Sequence, residues 1–366
     1  MKRPREIGTV LPLAARCVGY GFLILPLLAV EPIPVGYYGP ADAGHPVGGT
    51  IWQGTRLAME EAETEGLPAV RLVQAWDENP WSGGAAGVVR MAYHERVAAI
   101  LASVNGDATH LAEQVVAKAR LPMVDPGSTD PSVNAAFVPW VYSVMPDDRA
   151  LMGALAGDVG ERRFVLVSGV DHDSRTMARE FLGSPGRRRA DYHIQFTRAG
   201  DETVRQVAAA RPENVVVLAG AVQTAEAVRL LRSTLPGLRI WGGHPVGRRT
   251  FLTAAGEAAE GVRFPLPCAP DDGFQRRFRA RFGHDPDYAA AYGYDAARLL
   301  ILALRRAGRD WESLRDAILT LSPYDGVSGR IQWSKLGRNT ALPRMAVVAG
   351  GVVRPVTEPG AAAPGE

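Results

Sequence analysis

Two polar turns carry the residues best suited to gripping a small molecule. Ala102-Ser103-Val104-Asn105-Gly106-Asp107 follows the apolar run Val97 to Leu101 and opens a segment of helical period. Asp125-Pro126-Gly127-Ser128-Thr129-Asp130-Pro131 follows Leu121 to Val124. At such places backbone N–H groups and a helix start offer partial positive charge to an anion. Gly127 lets a ligand approach the main chain, and the Ser128 and Thr129 hydroxyls can donate or accept. Asn105, Gly106, Asp107, Gly127, Ser128 and Thr129 therefore make a candidate carboxylate-sized cradle. A second reading of equal weight is that Ser128 and Thr129 only cap the next turn.

Catalytic and metal chemistry find less support. Asp171, His172 and Asp173 could supply metal ligands or an acid/base group, but adjacent side chains in a turn seldom converge, and no third ligand has a defensible spacing. A polar loop facing a cleft is the preferred reading, and no metal site is assigned. His94-Glu95 begins like a zincin motif, but Ala98 stands where the second His belongs. There is no Walker A sequence, no G-x-S-x-G elbow and no G-x-G-x-x-G after a strand, so neither a nucleophile nor a cofactor is expected. Arg187, Arg188 and Arg189 read as a solvated turn. Trp52, Trp76, Trp81 and Trp241 fall near element ends, where each could stack on a ligand but more often fills a gap in the core.

The elements that must position these residues alternate. Short β-branched runs (Val35 to Tyr38, Val70 to Val73, Val97 to Leu101, Leu121 to Val124, Phe164 to Val167, Asn214 to Leu218, Arg239 to Trp241) are separated by segments of helical period. That is the pattern of parallel βαβ units, hence an α/β fold. Thr50 is the expected N-cap of the first helix, with Ile51, Thr55, Ala58 and Ala62 on one face. Residues 34–142 and 163–264 each carry the succession, which predicts two doubly wound lobes.

The chain has 366 residues, 46% hydrophobic and 22% charged, enough for two packed domains of ordinary size. A formal net charge of +2 gives no nucleic-acid signature. Cys17 and Cys268 suggest neither a disulfide nor a metal framework. Lys2, Arg3 and Arg5 precede a stretch that runs without charge from Cys17 to Val30, so residues 1–30 read as a signal peptide or, with no clean cleavage site before Glu31, as an uncleaved membrane anchor. A buried first element is the structural alternative.

An ordered set of motifs then becomes specific. Ile33-Pro34-Val35-Gly36-Tyr37-Tyr38-Gly39-Pro40 and Gly54-Thr55-Arg56-Leu57-Ala58-Met59-Glu60-Glu61-Ala62 resemble the first strand and "G-x-x-L-A-x-E-x-x-N" helix of the leucine/isoleucine/valine-binding receptors of ABC transporters, with Glu63 in place of the Asn. Residues 121–131 resemble their "V-P-x-I-S-P-x-A-T-x-P" loop, followed by Pro146-Asp147-Asp148. Ala290-Ala291-Tyr292-Gly293-Tyr294-Asp295-Ala296 resembles "A-x-x-Y-D-A", and Tyr324-Asp325-Gly326-Val327-Ser328-Gly329 resembles "F-D-G-x-x-G".

The resemblance implies a type I periplasmic binding protein fold: two doubly wound parallel-sheet lobes joined by a three-strand hinge, with crossovers near Met145, Arg263 to Pro267 and Asp325 to Arg330. One lobe would comprise 31–145 plus 268–325 and the other 146–267 plus 326–355, with 356–366 a flexible tail. It implies a small polar organic ligand of the amino acid, amide, urea or carboxylate class, closure of the lobes around it, an ABC permease as partner, no nucleic acid, no cofactor, no catalysis, and a periplasmic or extracytoplasmic location. A sensing receptor or regulator of the same fold is the alternative. On the second lobe the family's aromatic position falls within Val170 to Ser174, a second one falls near Gly220 and Ala221, and the acidic partner of a ligand ammonium falls near His244. Asp173 and His244 join the candidate contacts. An α-amino acid would lack its ammonium partner, so a different ligand or a lost binding role is expected.

Overall fold

The structure, a computed structural model, describes residues 31–135, 138–185 and 189–356. The proposed leader (1–30), Arg187 and Arg188, and the expected tail from residue 357 on lie outside the described residues.

The first half of the chain lays down β1 (Ile33–Tyr38), β2 (Val70–Ala75), β3 (Ile100–Ala102), β4 (Met123–Asp125) and β5 (Val141–Pro146). They are followed by β6 (Val165–Gly169), β7 (Tyr192–Phe196), β8 (Asn214–Leu218), β9 (Arg239–Gly242) and β10 (Arg263–Leu266). Near the end come β11 (Tyr324–Gly326), β12 (Gly329–Ile331), β13 (Arg338–Asn339), β14 (Arg344–Ala349) and β15 (Val352–Pro355). Among the described residues they build a six-stranded sheet in the order β13-β5-β4-β3-β1-β2, a seven-stranded sheet in the order β15-β14-β10-β9-β8-β6-β7, and a β11-β12 ribbon. The first sheet is parallel throughout, and in the second only β14 runs against the other strands, pairing antiparallel with β10 on one side and β15 on the other. β8 is buried along its whole length, as a parallel strand covered on both faces must be.

The helices are α1 (Gly49–Thr64), α2 (Ala85–Val89), α3 (Gly106–Ala119), α4 (Asp148–Val159), α5 (His172–Gly183), α6 (Asp201–Ala209), α7 (Ala221–Thr234), α8 (Arg249–Ala255), α9 (Asp272–Phe282), α10 (Tyr288–Ala307) and α11 (Trp311–Thr320). Side chains of Asn105, Asp147, Asp171, Asp271, Asp287 and Asp310 cap α3, α4, α5, α9, α10 and α11, accepting from N–H groups of the first turn. The expected cap on α1 is different. The helix begins at Gly49, and the Thr50 hydroxyl donates instead to Asp287 Oδ1 at 2.8 Å, tying α1 to the start of α10.

The chain passes between the sheets after β5, after β10 and again before β14. The third passage comes later than Asp325 to Arg330, because Arg338 and Asn339 still pair with β5. No helix among the described residues is long and apolar enough to cross a membrane.

Candidate functional site

The carboxyl ends of the two sheets face each other. Loops after β1, β3 and β4 form one wall, and loops after β6, β8 and β9 form the other, the position where open α/β sheets hold ligands. Between them lies a cavity of about 280 Å³. Of the residues singled out in the sequence, Asn105, Gly127, Thr129, Asp173 and His244 line it. Gly106, Asp107 and Ser128 are turned to protein contacts: Gly106 N donates to Asp173 Oδ1 at 3.0 Å, Asp107 Oδ1 lies 3.4 Å from His172 Nδ1, and Ser128 Oγ accepts from Asp130 N at 3.2 Å. The two readings of the Ser128-Thr129 pair thus divide, one hydroxyl fastening its own turn and the other facing the cavity.

The two turns are tied together from inside. Asp125 is fully buried, and its Oδ1 accepts from Ser103 N at 3.3 Å, Gly127 N at 3.0 Å and Ser128 N at 3.0 Å, while Ser143 Oγ donates to Oδ2 at 3.3 Å. The chain's own Asp125 side chain thus takes three backbone N–H groups of the two turns. Gly127 is required for a related reason: a Cβ there would lie 2.7 Å from Ser103 O and 2.8 Å from Val104 Cα, so it is the neighbouring loop that approaches its backbone. Burial lifts the Asp125 carboxyl to about 7 against the pull of those donors.

The walls also touch. Besides the bond from Gly106 to Asp173, Arg248 donates to Val47 O, and Thr250 Oγ1 donates to Pro46 O at 2.9 Å. Arg248 Nε lies 3.3 Å from Asp287 Oδ2, so this cation is already paired. Thr129 Oγ1 and His244 Nε2 are 3.3 Å apart, and His244 Nδ1 shares a 2.8 Å hydrogen bond with Tyr288 OH. Burial raises Asp173 to about 7 and, with Asp173 beside it, pushes Asp148 well above the usual carboxylate range.

Burial, reinforced by the nearby Arg248 guanidinium, pushes the His244 imidazole down to about 3, so it is neutral at pH 7. The unfolded imidazole titrates near 6.5, so between about pH 6.5 and 3 the unfolded chain takes up a proton that the folded chain refuses. This stability is present above that window and is lost on acidification through it. Urea denaturation midpoints measured from pH 7 to pH 4 are expected to fall more steeply in the wild type than in His244→Gln; parallel profiles would refute the assignment.

Several lining residues carried no signal in the sequence: Pro46, Val47, Met177, Gln223, Arg248 and Tyr288, and Met145 was marked only as a crossover. Gln223 and Tyr288 sit in the first turns of α7 and α10. None of the four tryptophans lines the cavity. Trp52 packs on Tyr37 and Trp76 on Tyr38 with ring centroids 4.9 and 5.6 Å apart, Trp81 is exposed, and Trp241 Nε1 donates to Asp158 Oδ2 at 2.7 Å.

Two facing α/β walls around a small cavity define a binding protein of the two-lobed kind. The chain belongs to the family described as Periplasmic binding protein, whose model matches residues 32–349. Among solved structures, the leucine-binding protein LivK from Thermotoga maritima superposes with a TM-score of 0.80 at 22% identity, over 89% of this chain and 98% of that one. The branched-chain amino acid transporter substrate-binding protein LivJ from Streptococcus pneumoniae, solved with isoleucine, gives 0.79 at 16% identity over 88% and 98%. A solute-binding protein of an ABC transporter from R. palustris, solved with benzoate, gives 0.78 at 18% identity over 89% and 95%. At these identities the likeness is one of fold. The chain has no match among curated protein sequences.

Proposed function

We propose that this chain is an extracytoplasmic substrate-binding protein of an ABC transporter that captures a small amide- or urea-like solute between its walls and passes it to a membrane permease, without catalysis. The observation that carries the ligand class is the Asp125 carboxylate on the cradle's N–H groups. With Gly106 N also taken by Asp173, a ligand carboxylate would meet Asp173 and Asp171 and, among the described lining residues, one arginine, Arg248, already paired with Asp287, a costly arrangement in a closed cleft. A neutral amide suits the same surface. Its N–H groups can donate to the Asp173 and Asp171 carboxylates, its carbonyl can accept from the Asn105 or Gln223 amide, and an alkyl end can rest on Val47, Val104, Met145 and Met177. The cavity of about 280 Å³ admits only a small molecule. The leucine, isoleucine and benzoate of the structural neighbours all bear carboxylates, which the acidic lining of this cavity disfavours.

The test is a thermal-shift titration of the full chain with urea, acetamide and propionamide against leucine, isoleucine and benzoate. A solute at about 100 times its Kd adds about 2.7 kcal/mol to the native state. Amides or urea should raise the midpoint and the carboxylates should not. Gln223→Ala, which leaves the cross-wall bonds in place, should weaken the effective solute about tenfold. Stabilisation by leucine or benzoate alone would overturn the ligand class, and no shift from any solute would overturn the binding role.

A further inference from the structure

At one rim of the cleft three side chains that are far apart in sequence converge. His110 projects from α3, Asp130 lies in the loop between β4 and β5, and His172 begins α5 on the opposite wall. One ligand atom from each lies within 4.8 Å of the other two. Both imidazoles aim Nε2 at the same oxygen, Asp130 Oδ2, at 3.2 Å from His110 and 2.5 Å from His172. The other oxygen, Oδ1, is occupied by Ser132, accepting from its N at 2.8 Å and its Oγ at 2.6 Å. Asp130 therefore offers one oxygen to the pair of rings.

From this geometry we infer a divalent transition-metal site, best suited to zinc, that bridges the two walls through His110 Nε2, Asp130 Oδ2 and His172 Nε2. Tetrahedral zinc with bonds of about 2.0 Å sets its donors about 3.3 Å apart. The His110–Asp130 separation already meets that spacing, and the His172 ring must withdraw by under about 1 Å.

The outer groups fit the same reading. His110 Nδ1 lies 3.3 Å from Glu113 Oε2, and His172 Nδ1 lies 3.4 Å from Asp107 Oδ1. Each ring thus has a carboxylate behind it to hold the Nδ1–H tautomer and free Nε2 for metal, the usual support of metal-binding histidines. Charge agrees as well. Asp107, Glu113 and Asp130 gather here with no Lys or Arg ion pair among the described residues, so a dication relieves an excess of negative charge. The imidazoles keep 23% and 31% of their side-chain surface exposed, which leaves an entry path and room for water as fourth ligand. Zinc held there clasps the two walls together, and the site stands whatever solute occupies the cavity.

The experiment is calorimetric titration of chelator-treated full chain with zinc, paired with the visible spectrum after cobalt addition. One equivalent of zinc should bind, and the cobalt form should show the d–d bands of a low-coordinate nitrogen and oxygen site. His110→Ala and His172→Ala should abolish binding, Glu113→Gln and Asp107→Asn should weaken it about 10- to 100-fold, and His284→Ala should leave it unchanged. Wild-type uptake equal to that of the His110→Ala/His172→Ala double variant would overturn the site. The cobalt spectrum needs no variant to fold, and the absence of its bands would overturn the site by itself.

Discussion

Gly54→Ala is expected to destabilise the fold by about 3 kcal/mol or more, although alanine is the better helix former by about 1 kcal/mol. Gly54 lies within α1, and a Cβ there would stand 2.0 Å from Ala290 O, 2.9 Å from Ala290 C and 3.0 Å from Tyr294 N. All three are backbone atoms of α10, so no rotamer change can relieve the clash and the helices must separate. Gly293 is the reciprocal contact, its would-be Cβ lying 2.4 Å from Ile51 O. The crossing is held from the side by Thr55 Oγ1, which donates to Gly293 O at 3.3 Å. Because one separation makes room for both methyl groups, the double variant Gly54→Ala/Gly293→Ala should lose less than the sum of the single losses. Gly153 and Gly157 in α4 are the control. A Cβ at either meets nothing within 4 Å, so Gly→Ala there should stabilise by about 0.5–1 kcal/mol. Guanidinium denaturation of the set decides it. A near-neutral Gly54→Ala would mean that the two helices do not cross backbone to backbone.

How much of this was legible in the sequence depended on the reach of each interaction. The Val215-Val216-Val217 run announces β8 because a buried parallel strand needs β-branched residues on both faces. β7, Tyr-His-Ile-Gln-Phe, is an edge strand with three of its five residues exposed, so its pattern blends with a loop. The helix start at Asn105 was readable, whereas Thr50 misled because its hydroxyl is claimed by a residue 237 positions away. The site divides in the same way. Loops at strand ends could be located by local pattern, but their hydrogen-bond partners could not. His172 was read beside Asp171 and Asp173, its neighbours in sequence, while its imidazole meets Asp130 and faces His110, 42 and 62 positions earlier. No spacing rule connects three such positions.

Asp125→Ala should cost about 3–5 kcal/mol and Asp125→Asn clearly less. Truncation strands the N–H groups of Ser103, Gly127 and Ser128 and the Ser143 hydroxyl in a buried place, and an orphaned buried donor costs about 1–3 kcal/mol. An asparagine keeps a carbonyl oxygen for the N–H groups. The pH dependence separates the two effects. Since burial lifts Asp125 to about 7 in the fold, against a carboxyl that ionises near 3.9 when unfolded, its contribution is full below about pH 4 and is lost as pH rises to about 7. Asp125→Asn lacks this loss, so its deficit relative to wild type should shrink between pH 5 and pH 8, while the Asp125→Ala variant should remain the less stable of the two throughout. Denaturation curves at both pH values measure this directly. A deficit of Asp125→Asn that grows with pH would mean that the carboxylate is stabilised by its donors more than burial penalises it. In that case the strand-end loops of the first wall would be held by a true anion site. A deficit that shrinks would instead make Asp125 a buried group of the protein's own framework, tying the loops after β3 and β4 to β5 through Ser103, Gly127, Ser128 and Ser143.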